Sequence, residues 1–140
     1  MAREARVCDW MNDLVLVLHE GTDGLLARDA VEAHPTGHAC VLRDGKLVGV
    51  LSDRDFPPLE EEDDWTVGEV MTDDPATVGP DVPLSDAVEL MLREHIHCLP
   101  VLDEDEVIGI LTDRDLLQAL LATLRTPEAP AWRSHAQTQS

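Results

Sequence analysis

The sequence has no long apolar segment. Hydrophobic residues make up 44% of its 140 residues, yet no apolar run approaches the ~18 residues that a membrane-spanning helix needs. The first residues, Met1 to Arg6, also lack the apolar core of a secretion signal. We therefore expect a cytoplasmic protein that does not have a membrane as its partner.

Lysine is almost absent, since Lys46 is the only one among 10 basic residues. Asp and Glu total 29, which gives a formal net charge of -19. A surface of this charge repels phosphate backbones, so we expect no nucleic-acid partner. The composition indicates a solvated acidic surface. A salt-loving host and a GC-rich genome both remain open as its origin.

Paired cysteines are also absent. The three cysteines, Cys8, Cys40 and Cys98, form no Cys-x-x-Cys motif. An odd number without a close pair predicts free thiols in a reducing compartment. Their simplest role is that of small buried hydrophobic residues.

The common catalytic signatures are missing too. The sequence contains no Gly-x-Ser-x-Gly, no Walker loop and no Gly-x-Gly-x-x-Gly, so we expect a protein that is not an enzyme. A metal or redox sensor is a weaker alternative, because His95, His97 and Cys98 lie close together. Zinc requires three or four preorganised ligands, however, and no second set matches this cluster.

An internal repeat dominates what the sequence does contain. The segment Val41 to Asp55 returns sixty positions later as Val101 to Asp115, with GVLSDRD matching GILTDRD. The same offset places Val7 on Val67 and Met11 on Met71. Such self-similarity predicts a duplicated structural unit. We assign residues 7–58 to unit one, 59–65 to an acidic linker, 66–124 to unit two and 125–140 to a polar tail.

Each unit has the same order of predicted elements. A short helix comes first, with Thr66 as its N-cap and Glu69 three residues later in unit two. A brief extended stretch and an amphipathic helix follow. The apolar stripe of that helix is clearest in unit two, as Leu84, Ala87, Val88 and Met91.

A hairpin and a final helix complete each unit. In unit one the turn is Asp44-Gly45, where glycine tolerates positive φ. The second hairpin strand is almost continuously apolar, which predicts burial on both faces. The final helix begins at Ser52 or at Thr112, and Pro57-Pro58 cut it short in unit one.

These features together resemble the cystathionine-β-synthase-type (CBS) family. The resemblance covers about residues 7 to 124, and its most specific part is His97-Cys98-Leu99-Pro100-Val101 followed by the Gly109-to-Asp115 motif. It implies an α+β fold of two tandem β-α-β-β-α repeats, packed through their sheets with pseudo-twofold symmetry, that is, a Bateman module. In this family the packing leaves two clefts that bind adenosine ligands.

The resemblance also implies the site residues. Ser52 and Thr112 would contact phosphate, while Asp55 and Asp115 would bind ribose hydroxyls. A hydroxyl at a helix start suits an anion, and a carboxylate can accept two hydrogen bonds from a cis-diol. The same residues also resemble helix capping boxes, which need no ligand.

Further contacts follow from the same comparison. His97 would help to hold the phosphate, and Gly37 and His38 occupy the corresponding place in unit one. The remaining expected contacts are an adenine wall of Val17, Leu18, Thr77, Val78 and Pro100, and two cations, Arg54 and Arg114. Cys40 replaces proline in unit one, so we expect the larger contribution from Asp115.

The sequence thus predicts a regulatory module that senses AMP, ADP or ATP and modulates an unidentified partner protein. Mg²⁺ and salt should assist binding, because nucleotide phosphates must approach a protein of charge -19. S-adenosylmethionine-like ligands also remain open. Exposed leucines in the final helix predict a homodimer. The alternative is a ligand-free CBS module for interaction or dimerisation.

Overall fold

The computed structural model describes residues 4–58, 64–125 and Ala131. Unit one contains helix α1 (Val7–Trp10), strand β1 (Val17–His19), helix α2 (Gly24–Ala33), strands β2 (His38–Arg43) and β3 (Lys46–Ser52), and a 3-10 turn (Asp53–Asp55). Unit two contains helix α3 (Val67–Val70), strand β4 (Thr72–Asp73), helix α4 (Leu84–Glu94), strands β5 (Cys98–Asp103) and β6 (Glu106–Thr112), and helix α5 (Asp113–Leu124). The predicted duplicated α+β unit is confirmed.

The two hairpins have equivalent registers. Cys40 pairs with Val50 in unit one, and Pro100 pairs with Ile110 in unit two. Both hairpins shift register at the same place, between residues 41 and 42 and between residues 101 and 102. The sixty-residue offset of the sequence is therefore preserved residue by residue in the backbone pairing.

Each unit lends a strand segment to the other. Strand β4 of unit two pairs antiparallel with β3 of unit one, whereas Asn12 of unit one exchanges hydrogen bonds of 2.8 and 2.9 Å with Ile110. Gly49 and Gly109 permit this close approach, because a Cβ at either position would lie 2.4 or 2.6 Å from a methionine sulfur. The segments before α2 and α4 therefore lie across the opposite unit.

The short helices are exchanged in the same way. Val7 of α1 is fully buried in the unit-two core with Leu99, while Val67 of α3 is fully buried in the unit-one core with Leu51. Backbone bonds hold both helices, since Val7 N–H donates to Val82 O at 2.9 Å and the N–H of Val67 donates to a unit-one carbonyl at 3.0 Å. Neither core is complete without the other unit.

The units differ at their final helix. Helix α5 extends for 12 residues, whereas its counterpart is a single 3-10 turn that ends before Pro57, as the prolines predicted. Phe56 packs against Trp65 with ring centroids 5.9 Å apart, and Arg28 lies over the Phe56 ring at 5.1 Å. These side chains cover the unit-one core where unit two has a helix.

The second hairpin strand is only partly buried as predicted. In β6 the residues from Gly109 to Thr112 are buried, but in β3 Val50 and Ser52 are half-buried. Both of these β3 residues line a cavity between the units. The sequence pattern alone does not reveal that cavity, because an apolar strand facing a cleft resembles one facing a core.

The hairpin turns show a second asymmetry. Asp44 and Gly45 have φ of 51° and 79°, which confirms the predicted turn. In unit two Glu104 and Asp105 adopt the same left-handed conformation, with φ of 50° and 71°. This conformation favours glycine, so the unit-two turn is strained.

Most of the predicted acidic linker and polar tail lies outside the described residues. Trp65 is an exception, because only 8% of its surface is exposed and it belongs to the core. Among the described residues, no helix is long and apolar enough to cross a membrane.

Candidate functional site

A cavity of about 380 Å³ lies between the two units. Unit one lines it with His38 and with the end of β3 and the turn that follows, namely Val50, Leu51, Ser52, Arg54 and Asp55. Unit two lines it with Thr72, residues 74–76 and residues 94–98. The unit-two residues come from the crossed segment before α4 and from the loop between α4 and β5. We call this cavity the cleft.

Ser52 and Asp55 form the polar floor of the cleft. The Ser52 N–H donates to Asp55 Oδ2 at 2.8 Å, and the Ser52 hydroxyl donates to the same oxygen at 3.4 Å. Both residues are half-buried. No donor from the described residues contacts Asp55 Oδ1, so this oxygen has lone pairs available for hydroxyl groups of a ligand.

The equivalent pair in unit two, Thr112 and Asp115, is closed, that is, buried and hydrogen-bonded to itself. Asp115 Oδ2 accepts from the Thr112 N–H at 2.8 Å and from its hydroxyl at 3.0 Å, and the Asp115 N–H donates back to Thr112 Oγ1 at 3.4 Å. Only 4% of Thr112 and 8% of Asp115 is exposed. Neither residue lines any of the five described cavities. This pair is a complete capping box at the start of α5.

His97 lines the cleft with Ser52 and Asp55 of unit one, and Thr112 and Asp115 of its own unit are not part of that lining. The Nδ1 of His97 lies 3.2 Å from Asp113 Oδ2. His38 lines the same cleft, with its Nδ1 2.7 Å from the Thr36 carbonyl. The expectation that unit two holds His97 and Asp115 in one site therefore does not match the geometry.

A second cavity of about 200 Å³ adjoins the cleft. The two share four lining residues: His38, Ser52, Arg54 and His97. The smaller cavity adds Thr36, Gly37, Asp53 and Asp113. It forms a polar extension beside the Ser52 end of the cleft.

The expected adenine wall lies elsewhere. The five residues assigned to it (Val17, Leu18, Thr77, Val78 and Pro100) do not line the cleft. Val78 packs against the unit-two core and pairs with Val101, and Pro100 is fully buried. Sequence reasoning placed the wall on the extended stretch itself. The structure instead places residues 74–76 at the cleft, between the pairing of β4 with β3 and the bridge from Val78 to Val101.

Pro75, Ala76 and Ile96 supply apolar lining to the cleft from unit two. Sequence reasoning also missed Asp74, Glu94 and His95, which line the cleft with them. The nearest sequence signal was the position of His97, since residues 94–96 come directly before it.

The two arginines differ in position. Arg54 is exposed and lines both the cleft and its extension, whereas Arg114 is exposed and lines none of the five described cavities. Of the described residues that line the cleft and its extension, Arg54 is the single Lys or Arg.

The cysteines and histidines of this region do not assemble a metal centre. Among the described residues no three His, Cys, Asp or Glu side chains are placed to hold one ion. Burial raises the pKa of the Cys98 thiol to about 12 and that of Cys40 to about 11. Both are therefore poor ligands and nucleophiles near neutral pH, since the thiolate is the reactive form.

Comparison with known proteins supports the assignment of the repeat. The family model of the CBS domain matches residues 67–122. The CBS domain-containing protein YhcV of Bacillus subtilis is 33% identical over 94 residues, which cover 64% of this chain and 67% of YhcV. Inosine-5'-monophosphate dehydrogenase of Korarchaeum cryptofilum is 36% identical over 91 residues, which cover 64% of this chain and 19% of the enzyme. The chain thus spans about a fifth of that relative.

A solved structure agrees over nearly the whole fold. The crystal structure of CBSX2 in complex with AMP is 29% identical and covers 86% of this chain and 98% of its own, with a TM-score of 0.73. CBSX2 is a CBS-pair protein from Arabidopsis thaliana. The duplicated hairpins, the crossed segments and these similarities together show that this chain belongs to the CBS-domain family, as a pair of CBS repeats.

Proposed function

We propose that this chain is a regulatory module that binds one adenosine-type ligand in the cleft and passes the ligand state to a partner protein. The observation that supports this proposal best is that Ser52 and Asp55 of unit one and His97 of unit two line the same cavity of about 380 Å³. Small-molecule sites generally have volumes of about 300–1,000 Å³. The similarity to a CBS pair that binds AMP supports the same ligand class.

Asp55 is the ribose ligand in this proposal. Its Oδ2 is held by Ser52, which fixes the carboxylate, while Oδ1 has no partner among the described residues. A fixed carboxylate with free lone pairs suits the two hydroxyl groups of a ribose, and hydrogen bonds to a charged group contribute about 1.5–3 kcal/mol.

The base and the 5' group take opposite ends of the cleft. Pro75, Ala76 and Ile96 supply apolar surface on the unit-two side, where a planar purine can pack. Ser52 and the smaller polar cavity lie at the other end, where the 5' substituent projects. Occupying both ends joins the crossed segment of unit two to the hairpin of unit one.

One ligand per chain follows from the closed unit-two pair. Thr112 and Asp115 are nearly fully buried and satisfy one another. Opening them would leave buried polar groups unpaired, which costs about 1–3 kcal/mol per group. We therefore assign the larger role in binding to Asp55 and a structural role to Asp115.

Calorimetric titration of the purified chain tests the proposal. The panel comprises adenosine, AMP, ADP, ATP and S-adenosylmethionine, with GMP as the control base. We expect saturable binding of at least one adenosine compound at a ratio of one per chain, and no binding of GMP. Absence of binding across the panel would favour a ligand-free interaction module, which the two formed Ser/Thr-to-Asp pairs also permit.

The partner surface in this proposal is helix α5, and a second copy of the chain is its first occupant. Four leucines at helical spacing are 51–66% exposed: Leu117, Leu120, Leu121 and Leu124. A stripe of this kind is typical of an unpartnered interface. Sedimentation should give a dimer for the wild type and a monomer for Leu120→Asp. A wild-type monomer at micromolar concentration would contradict the dimer and leave the ligand proposal intact.

A further inference from the structure

We infer that the cleft prefers adenosine ligands whose 5' substituent is uncharged or positively charged over those that carry phosphate, and that Asp74 and Glu94 set this preference. The inference rests on the proposed function, because it refines the ligand class of the same cleft. It concerns specificity, whereas the proposed function concerns only the binding of adenosine compounds.

The charge of the cleft lining disfavours phosphate. Among the described residues, the lining of the cleft and of its polar extension includes one guanidinium, that of Arg54. Against it stand five carboxylates: Asp53, Asp55, Asp74, Glu94 and Asp113. A phosphate entering this space meets more negative than positive charge at close range, where bulk salt screens least.

The hydrogen bonds of the two histidines beside Ser52 indicate which ring nitrogen donates. His38 Nδ1 lies 2.7 Å from a carbonyl oxygen, and His97 Nδ1 lies 3.2 Å from a carboxylate oxygen. Because both partners only accept, Nδ1 must be the donor in each ring. In a neutral imidazole Nε2 then bears the lone pair, and among the described residues it has no partner. When it carries no proton, Nε2 accepts a hydrogen bond from an ammonium or a hydroxyl, and it donates one to phosphate only when both ring nitrogens are protonated.

The final helix of unit one is shortened to a single turn. A long helix begins with unpaired N–H groups that stabilise an anion. The 3-10 turn after Ser52 has only three residues, Asp53–Asp55, and two of them are acidic. In unit two, where α5 is long, the Asp113 N–H already donates to the His97 carbonyl at 3.1 Å. The cleft therefore lacks the dipole of a long helix beside Ser52.

Asp74 and Glu94 are the residues to change. Both line the cleft from unit two, and neither has a salt bridge among the described residues. Asp74 has φ of 49°, a conformation that asparagine tolerates well. Asp74→Asn with Glu94→Gln removes two charges with nearly the same side-chain shape. Asp73→Asn with Glu89→Gln is the matched control, because these exposed residues lie in the same strand and loop region and the same helix but line neither cavity.

The test is calorimetry at pH 8 and fixed ionic strength with four probes. They are 5'-methylthioadenosine, S-adenosylmethionine, AMP and ATP without Mg²⁺. We expect the first two to bind at least about tenfold tighter than AMP, and ATP to bind weakest. In Asp74→Asn with Glu94→Gln, AMP should gain about three- to tenfold while 5'-methylthioadenosine stays unchanged. The control pair should leave the ranking and both affinities as in the wild type.

Each contrary result has a distinct meaning. If AMP or ATP binds tighter than both uncharged and cationic probes, the inference is overturned and the proposed function stands. If the control pair gains as much AMP affinity as the cleft pair, the net charge acts at long range and the assignment to Asp74 and Glu94 is wrong. If none of the four probes binds, the proposed function itself fails.

Discussion

Replacing Asp55 by alanine separates ligand binding from helix capping. The carboxylate holds the Ser52 N–H and hydroxyl through Oδ2 and leaves Oδ1 for a ligand. Losing the cap should lower the free energy of unfolding by about 1 kcal/mol. Losing charge-assisted hydrogen bonds to ribose should cost about 1.5–3 kcal/mol, or roughly ten- to a hundredfold in affinity.

Asp115→Ala is the matched comparison. It removes a chemically identical carboxylate from the buried box and leaves the Thr112 N–H and hydroxyl without their acceptor. We expect a loss of about 1–3 kcal/mol in the free energy of unfolding, because buried donors become unpaired. Affinity for adenosine compounds should stay at the wild-type value.

The assay is a titration with both adenosine and AMP beside a thermal melt for each variant. Because ribose is common to the two ligands, the loss in Asp55→Ala must appear with both. A loss confined to one ligand would indicate a change in cleft charge and not a lost ribose contact. If Asp55→Ala keeps full affinity with a lower melting temperature, Asp55 is a cap only. If Asp115→Ala alone loses affinity, we have assigned the wrong cleft.

Four further predictions concern the net charge, the hairpin turns and the cysteines. Raising the ionic strength from about 0.02 to 0.2 M should tighten AMP binding, since screening relieves repulsion from a net charge of -19; a steep loss of affinity would mean that local attraction dominates. Asp105→Gly should raise the free energy of unfolding by about 1 kcal/mol, because glycine relieves the strain at a φ of 71°. Gly45→Ala should lower the same free energy in a denaturant melt. If both variants are as stable as the wild type, these turns are not strained. At pH 8 Ellman's reagent should modify the exposed Cys8 quickly, but Cys40 and Cys98 only after unfolding. The reason is that burial raises the pKa of Cys40 to about 11 and that of Cys98 to about 12. Rapid modification of all three thiols in the native protein would contradict that burial. Because burial raises both pKa values above the usual 9.0, the stability that the neutral thiols contribute is fully present below pH 9.0. It is lost as the pH rises from 9.0 through about 11 for Cys40 and about 12 for Cys98, which urea melts across this range would detect.

The sequence predicts the fold well because its signals are local and occur twice. The Asp44-Gly45 turn, the apolar stripe of α4 and the stop at Pro57 each depend on a few neighbouring residues. The duplication then relates the hairpins and the helices of one unit to those of the other. Ser52, Asp55 and His97, identified by motif, do meet in one cavity.

The sequence does not predict which unit contributes each part of the cleft. That depends on β4 crossing to β3, a pairing set by the close approach at Gly49 and Met71. Pro75 and Ala76 line the cleft because they follow this crossing, whereas Ile96 reaches it from the loop between α4 and β5. Burial of Thr112 and Asp115 depends likewise on packing around α5. Motif spacing is identical in the two units and does not distinguish an open pair from a closed one.

The exchange of the short helices has a consequence for how this chain arose and how it assembles. Val7 completes the core of unit two, and Val67 completes the core of unit one. A single ancestral repeat would have had an incomplete core and an unpacked short helix. In a dimer of two such repeats, the short helix of each copy would complete the core of the other. Duplication within one gene converts that symmetric dimer into one polypeptide. Cutting the chain between the units should therefore yield halves that fold only when mixed.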